Sequence, residues 1–160
     1  MVVWFVGVSV ALVWVVFQSP ALDYRMVAAG SLLPVLDAVT GGPNVLHTLV
    51  GSVVLLSVVM MVTRGRRLVR RRWLGLPIGT FVHLVLDGTW TRSALFGWPV
   101  LGGGAFDGRL PELDRPVVVI VVLELIGVAA LVWLHRGFGF GNAERRRAFL
   151  RTGHLPRPVP

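Results

Sequence analysis

The stretch "VLHTLVGSVVLLSVVMMVTRGRRLVRRRW", Val45 to Trp73, decides the fold. From Val45 to Val62 it carries no formal charge, and as a helix it would rise about 27 Å, close to the hydrocarbon thickness of a bilayer. Six arginines then fall between Arg64 and Arg72. An arginine cluster beside an apolar run marks the cytoplasmic flank of a membrane helix. The expectation is an integral membrane protein of all-α class.

The rest of the chain suits that reading. Its 160 residues imply one domain; 54% are hydrophobic and 15% charged, and the mean hydropathy is +0.73, above the range usual for a soluble domain. The net charge of +8 comes from 16 arginines and no lysine. A basic excess can mark a nucleic-acid binder. Here the arginines bunch beside apolar segments, which membrane topology explains, so no nucleic-acid partner is expected. The absence of cysteine removes disulfides, thiolate metal sites and cysteine nucleophiles.

Four further segments flank the opening stretch. Val2 to Phe17 is apolar, with neither the basic n-region nor the small-residue cleavage site of a signal peptide, and reads as a short retained membrane helix. Leu22 to Val39 holds the small residues Ala28, Ala29, Gly30 and Ser31, which permit close helix packing, and Pro34, which kinks a helix; it either spans or dips in and returns. The breaker "TGGPN" follows. Leu74 to Trp90 returns through the membrane, and Val117 to Leu134 crosses last. Between them lies a Gly-rich loop, Thr91 to Pro116, whose "GGG" at 102–104 lacks the strand-to-helix context of a phosphate loop and reads as a connector. Residues 1–135 thus form a transmembrane domain and 136–160 a basic cytoplasmic tail, amphipathic and then Pro-rich.

With the 64–72 loop and the tail inside, "TGGPN" lies outside; if Leu22 to Val39 spans, the Gln18–Arg25 turn is inside and Met1 outside. The count is about five transmembrane helices of a multi-pass inner (plasma) membrane protein, or four plus a re-entrant segment. This topology gathers Asp37, His47, His83, Asp87 and Glu124 in the outer half of one bundle. His83 and Asp87, at i and i+4, share a helix face. Ionisable groups in membrane spans are costly and face the bundle interior or a water-filled cavity. Two histidines with carboxylates form an N/O ligand set suited to Zn, Mn or Fe(II), and a spare carboxylate can serve as general base or hold a histidine in place. The plainer reading of each is a satisfied polar contact between helices.

The order "SLLPVLD", "LHTL", "GTFVHLVLDGTW" and "FGWP" resembles the bacterial inner-membrane predicted metal-dependent hydrolases, some of them linked to the LexA regulon. Those proteins carry Pro-Asp-x-Asp at a helix end, a His-Arg-Gly-x-Thr-His-Ser stretch, His-x-x-x-Asp on a later helix and then Trp-Pro. The matching positions are Pro34 and Asp37, His47 and Thr48, His83 and Asp87, and Trp98 and Pro99, within a similarity from about Asp23 to Pro99. Val35 replaces the first Asp, and "TGGPN" stands where the first His would be, which reduces the ligand set. The resemblance implies a helical membrane protein with a metal-centred hydrolase site.

Together these readings give a metal-dependent hydrolase acting on a phosphoester or lipid-like substrate at the outer side of the membrane. His47, His83 and Asp87 would ligate the metal, Asp37 would be a fourth ligand or general base, and Glu124 and Arg92 would support the site, Arg92 by meeting an anionic substrate. The alternative is a non-catalytic structural or regulatory membrane protein whose His and Asp residues form a buried polar network. A transporter or proton relay would continue polar residues inward, where Ser52, Ser57 and Thr80 are nearly all the chain offers.

Overall fold

The computed structural model describes residues 1–40, 42–101, 106 and 115–158, and among them every regular element is helical. Helix α1 is Val2–Phe17, α2 Tyr24–Leu32, α3 Leu49–Val62, α4 Arg67–Trp73, α5 Gly75–Leu86, α6 Ser93–Phe96, α7 Val117–Gly137 and α8 Ala143–Thr152. The connector "GGG", with residues 105 and 107–114 of the Gly-rich loop, falls outside the described residues.

The breaks follow local chemistry. Asp23 caps α2 by accepting the Arg25 backbone N–H, and Thr48 caps α3 by accepting that of Gly51. Pro34 cannot donate to the helix ladder, and the chain tightens there into a 3-10 turn, Pro34–Thr40. Pro77 likewise lacks the N–H that would reach the Trp73 carbonyl, so α4 and α5 are separate helices. Past Asp87, Gly88 takes the left-handed conformation, φ 71°, that ends α5.

One helix among the described residues, α7, is long and apolar enough to cross a bilayer. Helices α1 and α3 are apolar but shorter, at 16 and 14 residues. Among the described residues the fold therefore does not contain five span-length helices. Leu22 to Val39 is a nine-residue helix continued by the 3-10 turn, not one membrane-length helix. Val45 to Val62 begins with a separate 3-10 turn, Val45–His47, before α3.

Helices α2 and α5 run parallel. The Asp23, Val27 and Ser31 carbonyls meet Gly75, Gly79 and His83, a constant separation of 52 residues. A Cβ on Gly79 would run into the Val27 carbonyl oxygen, so only glycine permits this approach. Helices α1 and α7 also pair in parallel through Gly7 and Gly127, where a Cβ on Gly127 would strike the Trp4 backbone. Val10, Val13, Tyr24, Val27, Val82, Leu134, Phe138 and Leu155 build the apolar core between these pairs.

The two ends of the bundle differ. At one, Asp23 pairs with Arg25 at 2.8 Å and Arg72 at 3.3 Å, and the tail docks there through Tyr24 N–H to Gly153 O and Arg25 to Leu150 O. At the other lie Met1, Asp37, His47, Asp87 and Arg115. Polar side chains such as Ser9, Ser31, Thr48, Ser52 and Thr80 are buried, while Val15, Val16, Phe17, Met61, Val62, Val117, Val118 and Leu125 point outward.

Candidate metal centre

The i, i+4 spacing of His83 and Asp87 is used as helix geometry requires. His83 is on the last turn of α5, and the Asp87 N–H closes that turn on the His83 carbonyl at 2.8 Å. His47 comes from the 3-10 turn just ahead of α3, not from one turn into a helix. One ligand atom from each of His47, His83 and Asp87 lies within 4.8 Å of the other two, and all three residues are buried, at 0%, 0% and 2% exposure. The two imidazoles meet edge to face at 5.5 Å.

Each ligand candidate is held from behind. His47 Nδ1 lies 2.9 Å from Asp37 Oδ2, on the turn Pro34–Thr40. His83 Nδ1 lies 2.7 Å from the Ser31 carbonyl, an acceptor only, so the proton belongs on Nδ1. Phe5 stacks on the His83 ring at 3.9 Å and fixes its plane. With Nδ1 engaged on both rings, Nε2 is the atom each imidazole can offer a metal. A carboxylate or carbonyl bonded to the far nitrogen of a ligating histidine is the usual device for setting its tautomer and basicity. Thr89 Oγ1 donates to Asp87 Oδ2 at 3.0 Å, and the Arg115 guanidinium reaches Asp87 Oδ1 at 3.4 Å and its backbone carbonyl. Two imidazoles and a carboxylate make the donor set of a three-ligand catalytic zinc site, in which water or substrate takes the fourth position.

The structure brings together four of the residues singled out in the sequence and sets Glu124 apart. Asp37 stands behind His47 and also accepts the Asn44 N–H at 3.0 Å, so its contacts are those of a positioning residue. Glu124 is not beside the cluster. It accepts the Trp4 N–H at 3.0 Å and faces the Met1 amino group at 3.4 Å, at the start of α1. Arg92 joins the 3-10 turn Thr89–Thr91 to α6, while the guanidinium on Asp87 belongs to Arg115. Sequence reasoning missed Ser31, Thr89, Arg115 and Phe5. Thr89 was the most accessible of these, two residues past Asp87 in "DGT"; the others act across the fold through contacts that local spacing does not encode.

Comparison with protein-family models, curated proteins and solved structures returns no match for this chain.

Proposed function

We propose that the chain is a membrane-embedded, metal-dependent hydrolase acting on a phosphoester or lipid-like substrate. The observation that carries this is the buried His47–His83–Asp87 triangle, with both Nδ1 atoms engaged. An isolated structural histidine needs one partner. Two, converging with a carboxylate and each anchored on the far nitrogen, fit a metal such as Zn, with Mn or Fe as alternatives. A divalent ion there supplies Lewis-acid polarisation of a phosphoryl or carbonyl oxygen and acidifies a water. Asp37 holds the His47 proton on Nδ1, the Ser31 carbonyl does the same for His83, and Thr89 turns the Asp87 carboxylate. Arg115 adds positive charge beside the cluster, where it suits an anionic substrate. The motif order shared with the bacterial inner-membrane predicted hydrolases supports the same reading.

Membrane placement is part of the proposal. Its support is the distribution of side chains: large apolar residues cover the outer faces of the helices, while polar side chains such as Ser9, Ser31, Thr48, Ser52 and Thr80 are buried beside the apolar core. We place α1, α2 with its 3-10 extension, α3, α5 and α7 across the bilayer, the arginine-rich end inside and the metal centre toward the outer side. The shorter helices, about 18 to 24 Å at about 1.5 Å per residue, require local thinning or flanking turns.

Two experiments test the two parts. The chain has no cysteine, so Arg66→Cys and Val100→Cys are clean probes of exposed positions at opposite ends. Arg66→Cys should label only from the cytoplasmic side and Val100→Cys only from outside; labelling of both from one side would defeat the topology. Detergent-purified protein should hydrolyse bis-p-nitrophenyl phosphate or a phospholipid, lose activity on chelation and regain it with zinc or manganese. Activity that survives both chelation and Asp87→Asn would remove the metal centre from catalysis.

A further inference from the structure

We infer a second ligand site at the arginine-rich end, one that holds an anionic phospholipid by its headgroup phosphate and an acyl chain. The inference rests on the membrane placement proposed above and is independent of the metal centre.

Three openings adjoin one another. A cavity of about 420 Å³ is walled by Arg25, Arg71, Arg72, Arg151 and His154. It shares Ala21 and Arg71 with a second cavity of about 380 Å³, whose other walls include Leu22, Leu74 and Ile78. That one shares Phe17 and Ile78 with an apolar groove of about 450 Å³ between α1, α3 and α5. The surface therefore passes from a guanidinium-lined basin at the end of the bundle to a hydrocarbon-lined groove along its side. Among the described residues, no acidic side chain lines the basin.

Charge decides the headgroup. The carboxylate beside the basin is Asp23, already bonded by Arg25 and paired with Arg72. Arg25 also donates to the Leu150 carbonyl. Those two guanidiniums are thus fixed in place by contacts within the protein. Arg71 and Arg151, both exposed, stand across the same basin and bring charge that Asp23 does not balance. Guanidinium forks match phosphate oxygens in pairs. Arginines at the cytoplasmic face of a membrane bundle attract anionic lipids.

Shape decides between a lipid and free phosphate. Arg71 borders both the basin and the second cavity, so a phosphate there has an apolar path leading from it past Leu74 and Ile78. Inorganic phosphate would use only the basin. The arginines alone would be an ordinary positive-inside flank; the adjoining groove sets this one apart.

The test is native mass spectrometry of the detergent-solubilised full chain, titrated separately with dioleoylphosphatidylglycerol, dioleoylphosphatidylcholine and inorganic phosphate. Phosphatidylglycerol adducts should persist at lipid concentrations about tenfold below those needed for phosphatidylcholine. Arg71→Gln with Arg151→Gln should bring the two lipids level. Both positions are exposed and neither is paired with Asp23, so the fold should be kept, and circular dichroism verifies that. Ala21→Trp, which fills the junction without altering charge, should also reduce phosphatidylglycerol adducts. Equal retention of the two lipids, or undiminished phosphatidylglycerol binding in the double-arginine variant, overturns the proposal. Phosphate that displaces phosphatidylglycerol, together with an Ala21→Trp variant that binds the lipid normally, overturns it in favour of a free-anion site. If carbonate washing leaves the chain in the membrane fraction while lipid selectivity fails, only this inference falls and the membrane placement stands.

Discussion

Replacing Asp37 by alanine tests whether the cluster is organised as a metal site. Among the described contacts, the carboxylate accepts the Asn44 N–H at 3.0 Å and meets His47 Nδ1 at 2.9 Å, and it is itself buried at 6% exposure. Its loss leaves the His47 tautomer and ring angle less constrained. Removing such an outer partner typically weakens metal binding by about 10- to 100-fold, or about 1.4–2.7 kcal/mol. Asp37→Asn keeps an acceptor oxygen but not the charge, and should fall near the mild end of that range. Stability responds separately, because each buried donor deprived of its acceptor costs about 1–3 kcal/mol. The assay is zinc competition against a chromogenic chelator in detergent, at a temperature where circular dichroism shows each variant folded. The expected order of affinity is wild type, then Asp37→Asn, then Asp37→Ala, with His47→Ala weakest. Wild-type affinity in Asp37→Ala alongside weak binding in His47→Ala would refute the positioning role.

The packing and the tail give further predictions. Gly79→Val forces α2 and α5 apart, because the added carbons meet the Val27 carbonyl; overpacking of this kind costs about 1–3 kcal/mol, read as a lowered Tm, whereas Gly137→Ala, with nothing within 4 Å, should not destabilise. Gly153 has φ +75° and its Cβ would enter the Asp23 carboxylate, so Gly153→Ala should release the α8 segment, seen as faster proteolysis between α7 and the C-terminus. Burial pushes the Asp23 carboxyl up, but the hydrogen bonds and charge of Arg25 outweigh it and hold the group below its ordinary value of 3.8. A depressed folded value means the contribution is complete above about pH 4 and is lost as the pH falls through the lowered folded value. Tail docking should therefore weaken only in strong acid, and Asp23→Asn should abolish that acid step; an unchanged acid transition in the variant would assign it elsewhere.

The sequence carried the helical class of the fold and the grouping of His47, His83 and Asp87, and physical reasons account for both. Apolar runs broken by Pro34, Pro77 and the arginine cluster specify helices and their order, because each break acts within a few residues. The i, i+4 pairing of His83 and Asp87 is equally local. Helix length was less legible. Hydropathy marks Leu22 to Val39 as one apolar segment, yet Pro34 and the tight glycine contacts of α2 with α5 favour a short helix and a 3-10 turn. Counting crossings brings His47 near the cluster, but reading Val45 to Val62 as one helix misplaces it within that helix, whereas the Thr48 cap starts α3 after it. Glu124 illustrates the limit: a carboxylate within an apolar segment needs a partner, and here that partner is the start of α1, a contact 120 residues away in sequence. Arg115 on Asp87 is likewise a product of the assembled fold.

The most direct test of the central claim is the metal content of detergent-purified protein, wild type beside the His83→Ala/Asp87→Ala double variant, by inductively coupled plasma mass spectrometry. The account predicts about one tightly held zinc, manganese or iron ion per chain, as a three-ligand site implies, and its loss in the variant. No bound metal in either protein after supplementation and mild washing would contradict it and leave His47, His83 and Asp87 as a buried polar network that fixes helix packing.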